Sequence, residues 1–236
     1  MIFLGKVFTH REKFKVYWQL FIDECMIIGI DSLTIVVITS TFIGAVSAVQ
    51  TTYNLVSPLI PIYIIGTVVR DMTVLELAPT VTAIVFAGKV GSNIAGQLGT
   101  MKITEQIDAI EVMGINSASY LVLPKIIAAI TMYPILVVLA GFLSILGGYM
   151  AGTFLELYTP YEYVYGIRLD FKPFLVFFAL IKSVTFAFLI SSISAYKGFY
   201  TEGGALEVGI ASTQAVTNSC IALLVADYLL AQLFLG

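Results

Sequence analysis

Residues 126–154 read IIAAITMYPILVVLAGFLSILGGYMAGTF, a run that contains no charged side chain. A helix needs about 20 apolar residues to cross the hydrocarbon core of a bilayer, so this run is long enough to span one. The chain as a whole is 59% hydrophobic and 11% charged, whereas soluble domains are roughly 45–50% apolar and about 25% charged. The sequence therefore predicts an all-α integral membrane protein.

The apolar runs predict five transmembrane helices. Their approximate bounds are Gly29–Tyr53, Pro61–Gly88, Tyr120–Phe154, Pro173–Tyr196 and Val208–Leu235. No linker or low-complexity tract divides the 236 residues, so we expect a single membrane domain. Residues 1–28 are predicted to form an interfacial segment, since Trp18, Phe21 and Ile22 share one face of a helix. An ordinary cytoplasmic lead-in to the first span is the alternative.

The distribution of basic residues predicts the orientation, because positively charged loops stay in the cytoplasm. A cytoplasmic N-terminus leaves only Arg168 and Lys172 outside. The basic residues on the cytoplasmic side are then Lys6, Arg11, Lys13, Lys15, Lys89, Lys102, Lys125 and Lys197. The external segment contains four tyrosines that we expect to form an aromatic belt at the headgroup level, namely Tyr158, Tyr161, Tyr163 and Tyr165.

Several function classes are disfavoured by composition. A net charge of -3 offers no basic face for nucleic acid. The chain contains one histidine, His10, so neither a Ser-His-Asp triad nor a histidine-rich metal site is expected. The Gly88-Lys89 dipeptide is followed by Val90 rather than Ser or Thr, and no phosphate-binding loop surrounds it. We therefore expect no metal, no cofactor and no ATP hydrolysis by this chain. Cys25 and Cys220 are interpreted as small helix-packing residues.

Ionisable side chains inside predicted spans are candidates for function, because a charge at mid-bilayer costs at least ~2.5–3.5 kcal/mol. Glu76 and Lys182 lie near the middle of their spans. They are predicted either to form a purely structural ion pair or to line a lipid cavity, with Lys182 attracting an anionic headgroup. Gln50, at the end of the first span, is a third candidate for the cavity, and an interhelical hydrogen bond is its alternative role.

The loop after the second span has two parts. Gly88, Ser92 and Gly96 recur every four residues, a spacing that permits close helix packing. Farther along, a short amphipathic helix is predicted near residues 100–113, followed by Gly114 as its C-cap. Ile103, Ile107 and Ile110 form its apolar stripe, and Thr104, Asp108 and Glu111 form its polar face. The pattern alone favours equally a partner-docking element and a surface helix that packs on its own domain.

The segment TEQIDAIEVMG, residues 104–114, together with LGTM before it, resembles the MlaE-family permease signature, which reads close to ELGTM-x-x-TEQIDAL-x-VMG. Residues 75–83 (LELAPTVTA) resemble RELGPVLTAL of the family, and residues 180–183 are LIKS in both. Residues 87–91 and 203–213 also resemble family motifs. The resemblance covers most of the chain from about Gly44. Departures from the family pattern are Leu75 for Arg, Ala78 for Gly, Lys89 for Arg and Gln97 for Glu.

This resemblance implies a homodimeric permease that moves phospholipid or a related lipid across the bacterial inner membrane. ATP would be bound and hydrolysed by a separate ABC ATPase subunit, which docks on a cytoplasmic coupling helix. The residues implied in coupling are Thr104, Glu105, Gln106, Asp108 and Glu111. An MCE-domain protein is the implied lipid carrier on the external face.

Two other functions were weighed against the permease. In an ion-coupled secondary transporter, Glu76 and Lys182 would form a proton relay with Arg70 and Asp71. That class often carries an inverted repeat, which we do not find in the sequence. The other possibility is a scaffold that anchors the ATPase without transporting lipid.

Overall fold

The computed structural model describes residues 5, 14–55 and 61–235, with side chains from residue 17 onward in the first helix. Within these residues the protein contains α-helices, three π-helical segments and no strand. The α-helices are α1 (Phe14–Cys25), α2 (Asp31–Asn54), α3 (Ile64–Met72), α4 (Thr82–Phe86), α5 (Ser92–Ile103), α6 (Gln106–Val112), α7 (Ser117–Phe154), α8 (Pro160–Arg168), α9 (Pro173–Phe199) and α10 (Ala205–Leu235). The π-helical segments are Met26–Ile30, Thr73–Val81 and Ala87–Gly91.

Five continuous helical stretches in the described part of the chain are long and apolar enough to cross a membrane. They are Tyr17–Asn54, Ile64–Ile103, Ser117–Phe154, Pro173–Phe199 and Ala205–Phe234. The prediction of an all-α membrane protein with five spans is confirmed. Each π segment joins two α-helices without ending the helical rod, because a π turn only shifts the hydrogen-bond partner by one residue.

Two predicted boundaries differ from the observed ones. The second span was predicted to end at Gly88 in a loop, but the helix continues through Ala87–Gly91 and α5 as far as Ile103. Small side chains at Gly91, Ala95 and Gly99 lower the hydropathy there, yet they are buried against neighbouring helices. At the N-terminus, α1 continues into α2 through Met26–Ile30. Most of residues 1–13 lie outside the described residues, so the interfacial segment stays a prediction.

The chain forms two compact units. The first comprises Met1–Ser32, Ala83–Tyr133 and Val184–Gly236. In this unit, α5 packs closely on the end of α9, since a Cβ at Gly198 would lie 2.5 Å from the carbonyl oxygen of Ala95. One turn farther along the same face of α5, Gly99 contacts Val208 of α10.

The second unit comprises Leu33–Thr82 and Pro134–Ser183. In this unit α2 and α7 cross with their backbones almost in contact. A Cβ at Gly44 would lie 1.8 Å from the carbonyl oxygen of Ser144, and one at Gly147 would lie 2.1 Å from that of Thr41. Any side chain at either position would push the two helices apart, so these glycines fix the crossing point.

The short helix α8 follows a capping box. The Thr159 hydroxyl accepts from the Glu162 amide, and the Glu162 carboxylate accepts from the Thr159 amide at 3.0 Å. Hydrogen bonds from the Thr159 hydroxyl and then from its backbone lower the pKa of Glu162 below its ordinary value. Because that folded pKa is lowered, the cap contributes stability at neutral pH and loses it as the pH falls through the folded pKa.

The four tyrosines of this region do not form one belt. Tyr161 and Tyr165 are exposed, as predicted for headgroup contact, but Tyr158 and Tyr163 are buried and stack with ring centroids 4.9 Å apart. The reason is that both buried hydroxyls find main-chain acceptors, on Gly148 and Ile145 respectively. Burial raises the pKa of Tyr158 to about 12. The predicted belt is therefore wrong for these two residues.

Candidate functional site

Glu76 and Lys182 meet in the second unit. The Lys182 ammonium lies 2.9 Å from a Glu76 carboxylate oxygen and 5.2 Å from the centre of the Phe178 ring. The two partners differ in environment, since the Lys182 side chain is 0% exposed and that of Glu76 is 48% exposed. The other Glu76 oxygen accepts a hydrogen bond from Thr80. The pair therefore presents a carboxylate at the protein surface and keeps its ammonium inside.

The backbone around Pro79 supplies a second acceptor for this lysine. Pro79 has no N–H, so the carbonyl of Leu75, four residues earlier, loses its α-helical partner. Lys182 donates to this same carbonyl at 2.9 Å. Pro79 lies inside the π-helical segment Thr73–Val81, which also carries Glu76. In the π-helical register the amide of Thr80, five residues on, faces the Leu75 carbonyl instead, and the Lys182 ammonium is an additional donor to this oxygen.

The pair lies deep in both helices. Lys182 is nine residues from the start of α9 at Pro173, and Glu76 is twelve residues from the start of α3 at Ile64. At ~1.5 Å per residue these distances are about 14 Å and 18 Å along the helix axes. A hydrocarbon core of about 30 Å therefore places both groups near its middle when the helices begin at its edge.

Arg70 and Asp71 form a separate cluster. The Arg70 guanidinium is 3% exposed, lies 2.8 Å from the Asp71 carboxylate, and donates to the carbonyls of Ile167 at 2.8 Å and Leu169 at 2.6 Å. These carbonyls belong to the end of α8, where the last groups of a helix lack intrahelical donors. Arg70 thus joins α3 to the C-terminal end of α8. This arrangement assigns Arg70 and Asp71 to helix capping rather than to a relay through Glu76.

Gln50 is exposed near the end of α2. It lines a cavity of about 260 Å³ with Ser47, Thr51, Asn54 and Met72. This cavity and the Glu76–Lys182 pair share no lining residue. The structure therefore brings Glu76 and Lys182 together and places Gln50 in a cavity that neither of them lines.

The predicted coupling segment is divided. α5 ends at Ile103, Glu105 adopts a left-handed conformation with φ 58°, and α6 then covers only Gln106–Val112. Gly114, with φ 81°, follows the helix as the predicted C-cap. Ile107, from the predicted apolar stripe, is fully buried and anchors α6. The coupling segment is thus a short helix held at a sharp turn.

Two of its acidic residues have partners within the chain. The Asp108 carboxylate lies 2.6 Å from the Lys102 ammonium, and the Glu111 carboxylate accepts from Ser117 at 2.5 Å. Thr104, Glu105 and Gln106 are exposed. The tip of the segment is apolar and uncovered, since Val112 is 88% exposed and Met113 is 67% exposed. The charge pattern did not identify Val112 and Met113 as exposed residues. The signal in the sequence is that two large apolar residues directly precede Gly114.

The small residues after the second span divide between two faces. A Cβ at Gly88 would meet nothing within 4 Å, and one at Gly96 would only approach the Ser212 hydroxyl at 3.4 Å. Ser92 donates back to the Gly88 carbonyl. The tight contacts within the chain are made at Gly91 and Gly99 instead, where a Cβ would come within 2.9 Å and 3.2 Å of neighbouring side chains. Among the residues that the structure describes, the face with Gly88, Ser92 and Gly96 is only loosely covered.

Sequence reasoning missed a buried ion pair in the first unit. Lys125 on α7 is 5% exposed and donates to the Glu24 carboxylate of α1 and, at 2.7 Å, to the Gln97 side chain of α5. Three helices are joined by this lysine. The signal in the sequence was a lone cation beside Pro124 in an otherwise apolar run. Among the described residues, no group of three or more His, Cys, Asp or Glu side chains is placed to hold a metal ion.

Comparison with known proteins identifies the family. Residues 21–233 match the family described as "Permease MlaE". A probable ABC transporter permease protein of Rickettsia bellii is 39% identical over 93% of this chain and 84% of its own length. One from Synechocystis sp. is 33% identical over 97% of the chain and 87% of its own length. The protein TRIGALACTOSYLDIACYLGLYCEROL 1 of Arabidopsis thaliana is 31% identical over 99% of the chain and 66% of its own length. The chain is therefore a multi-pass membrane protein that belongs to the MlaE permease family.

Proposed function

We propose that this chain is the lipid-translocating subunit of an ABC transporter in a bacterial inner membrane. It works as a homodimer with its N-terminus in the cytoplasm, and a separate ATPase subunit supplies the energy. An MCE-domain protein exchanges phospholipid or a related lipid with its external face. The family assignment favours this function over an ion-coupled secondary transporter and over a scaffold.

The observation that carries the proposal is the asymmetric pair of Glu76 and Lys182. A buried ion pair with only a structural role would be shielded on both sides, but the Glu76 carboxylate is 48% exposed. An exposed carboxylate facing hydrocarbon is costly, so this face requires a hydrated or headgroup-filled cavity. Lys182 behind it balances the charge of this carboxylate and holds it in place. The pair therefore suits a cavity that admits polar lipid heads at mid-membrane depth.

Lipid as the substrate class has support from one relative. The Arabidopsis protein carries the name of a galactolipid, trigalactosyldiacylglycerol, and the identity of 31% extends over 99% of this chain. A lipid substrate also agrees with the apolar contact beside the pair, since the Phe178 ring centre lies 5.2 Å from the Lys182 ammonium. The relatives named as probable ABC transporter permeases support an ATPase partner.

The tip of α6 is the proposed docking site for that ATPase. Val112 and Met113 are large apolar side chains at an exposed turn, where they gain contact area only when another protein covers them. The polar residues around them, Thr104, Glu105 and Gln106, would form the rim of the interface. Asp108 and Glu111 support the shape of the segment through Lys102 and Ser117.

A second copy of the chain is the proposed cover for α10. This helix has the smallest buried share of the five candidate spans. It also exposes Gln214, Thr217 and Asn218 inside an otherwise apolar span. Polar side chains within a bilayer face a helical partner or a water-filled cavity rather than lipid. Two α10 helices that face each other across a cavity would satisfy both requirements.

Purification in mild detergent tests the proposal as a whole. We expect mass spectrometry of the purified complex to find two copies of this chain, two copies of an ATPase subunit and bound glycerolipid. Adding ATP to the complex in vesicles is expected to move fluorescent lipid. A monomeric chain that co-purifies with no ATPase would exclude the ABC transporter assignment.

The orientation predicts a labelling pattern. In a background with Cys25→Ala and Cys220→Ala, single cysteines at the exposed positions Glu105, Gln106 and Glu111 should react with a membrane-impermeant maleimide only after the inner membrane is opened. Cysteines at the exposed positions Tyr161 and Tyr165 should react in intact spheroplasts. The physical reason is that basic residues cluster on the α5–α6 side of the chain. The reverse labelling pattern would exclude the proposed topology.

A further inference from the structure

A second apolar site lies in the unit formed by Leu33–Thr82 and Pro134–Ser183. It is a groove of about 230 Å³ lined by three stretches of helix and by the segment after α8. Val74 and Ala78 form one wall, Val137 and Gly141 on α7 form the second, and Val176 and Ala179 on α9 form the third. Its rim residues Val138 and Phe142 are 57% and 61% exposed.

One end of the groove is polar. Arg70 lines this end together with Ile167 and Phe171, and its guanidinium lies 5.7 Å from the centre of the Phe171 ring. Of the five guanidinium N–H groups, the Nε–H, both Nη1 hydrogens and one Nη2 hydrogen point to Asp71, Ile167 and Leu169. Within residues 14–55 and 61–235, the second Nη2 hydrogen meets no acceptor and is available to a ligand.

The segment that closes this end carries further charge. Arg168 and Lys172 are exposed in it, with Asp170 between them. Together with Arg70 and Asp71, this segment brings the count to three cations and two carboxylates. The local charge is therefore positive by one unit, which favours an anionic group over a neutral one.

The groove has the dimensions and polarity of a lipid site. From Arg70 to Ala78 it follows eight residues of helix, or about 12 Å at ~1.5 Å per residue. Arg70 is six residues from the start of α3, so at ~1.5 Å per residue it lies only about 9 Å along the helix. The polar end is thus the end nearer the membrane surface, and the apolar walls extend toward the middle of the bilayer.

We propose that this groove binds one hydrocarbon tail of an anionic glycerophospholipid, whose phosphate or ester oxygen accepts from Arg70. The site differs from the proposed transport cavity, because Val74 and Ala78 line the groove, whereas Glu76 and Lys182 do not. A lipid held there packs directly behind the segment that carries Glu76. This inference depends on the chain lying in a bilayer and not on the transport role of Glu76 and Lys182.

A single-tryptophan reporter tests the site. Trp18 is the only tryptophan of the chain, so Trp18→Phe gives a silent background. Val138→Trp places the reporter on the groove rim. Ile135→Trp is the matched control, on the same helix and 62% exposed but not among the groove residues. Both proteins are reconstituted in phosphatidylcholine vesicles that contain either brominated phosphatidylglycerol or brominated phosphatidylcholine.

Quenching at residue 138 should favour brominated phosphatidylglycerol by about fivefold, the preference that one unbalanced basic charge gives near a membrane surface. At residue 135 the ratio should be close to one. Equal ratios at the two positions would overturn the proposal. Because the readout is lipid proximity, a loss of transport in Glu76 or Lys182 variants does not affect the result.

Substitutions that fill the groove provide a second test of the lipid site. A Cβ at Gly141 would lie 3.6 Å from the Ala78 Cβ, which is ordinary contact, so Gly141→Ala fits and should keep the preference at residue 138. Gly141→Leu places a larger side chain in the groove and should abolish the preference. A folded Gly141→Leu protein that still favours phosphatidylglycerol would contradict a site in the groove. If Gly141→Leu fails to fold, the comparison of residues 138 and 135 still decides.

Discussion

The double variant Glu76→Gln with Lys182→Met is expected to fold in the membrane and to move no lipid. Removing both charges also removes the cost of burying them, so stability should be close to that of the natural protein. The headgroup, however, loses the exposed carboxylate as its polar partner, together with the ammonium that holds this carboxylate in place. Lipid transport by reconstituted complex, measured beside thermal unfolding in detergent, checks the result. Normal transport by the double variant, with an unchanged bound-lipid profile, would leave the pair with a helix-packing role.

The single variants should differ in stability. Glu76→Leu leaves the Lys182 ammonium buried at 0% exposure, with the Leu75 carbonyl as its acceptor. Breaking a buried pair from one side costs on the order of 3–5 kcal/mol. Lys182→Met leaves a carboxylate that is 48% exposed and should cost less. Lys197→Met, which removes an ammonium bonded to Gln214 elsewhere in the chain, is the control for lysine removal itself.

Replacing both Val112 and Met113 with aspartate is expected to abolish transport by releasing the ATPase. These side chains are 88% and 67% exposed, and exposed substitutions usually change stability by less than about 0.5 kcal/mol. At an interface, two buried carboxylates without partners should weaken binding by at least about a hundredfold, or ~2.7 kcal/mol. Co-purification of the ATPase and ATP-driven transport are the measurements.

The matched control is Glu202→Arg, a comparable change of charge in another exposed loop. It should retain the ATPase. The charge reversals Asp108→Arg and Glu111→Arg are also expected to uncouple transport. They are less specific tests, because they break the contacts to Lys102 and Ser117 that shape the segment. Full ATPase association of the Val112→Asp, Met113→Asp protein would exclude α6 as the docking site.

Hydropathy and single-residue chemistry predicted the larger features of the fold. The five spans follow from apolar runs that are longer than the helices of a soluble core. Gly114 ends α6 because a left-handed turn favours glycine. Glu76 and Lys182 could be singled out because isolated charges in apolar helices are rare. These signals are local, and each can be read without knowing what lies beside the residue in space.

The features that sequence reasoning missed depend on contacts between distant segments. Lys125 was counted only as a cytoplasmic charge, although Glu24, 101 residues away, makes it an ion pair. The regular spacing of Gly88, Ser92 and Gly96 predicts a packing face, which stays a prediction, and the spacing gave no sign of the close contacts observed at Gly91 and Gly99. The π-helical register of Thr73–Val81 shifts side chains around the helix, so a period of 3.6 residues misplaces the face that follows.

The bond from Lys182 to the Leu75 carbonyl determines which substitutions the site can tolerate. A main-chain oxygen is present whatever side chain residue 75 carries, so a substitution of Leu75 leaves the acceptor of Lys182 in place. The position of this oxygen depends instead on the π-helical backbone around Pro79, which lacks the N–H that an α-helical register would direct at the Leu75 carbonyl. In a mutational scan, the sensitive position would be a proline with no polar atom in its side chain, and the residue that supplies the oxygen would look replaceable.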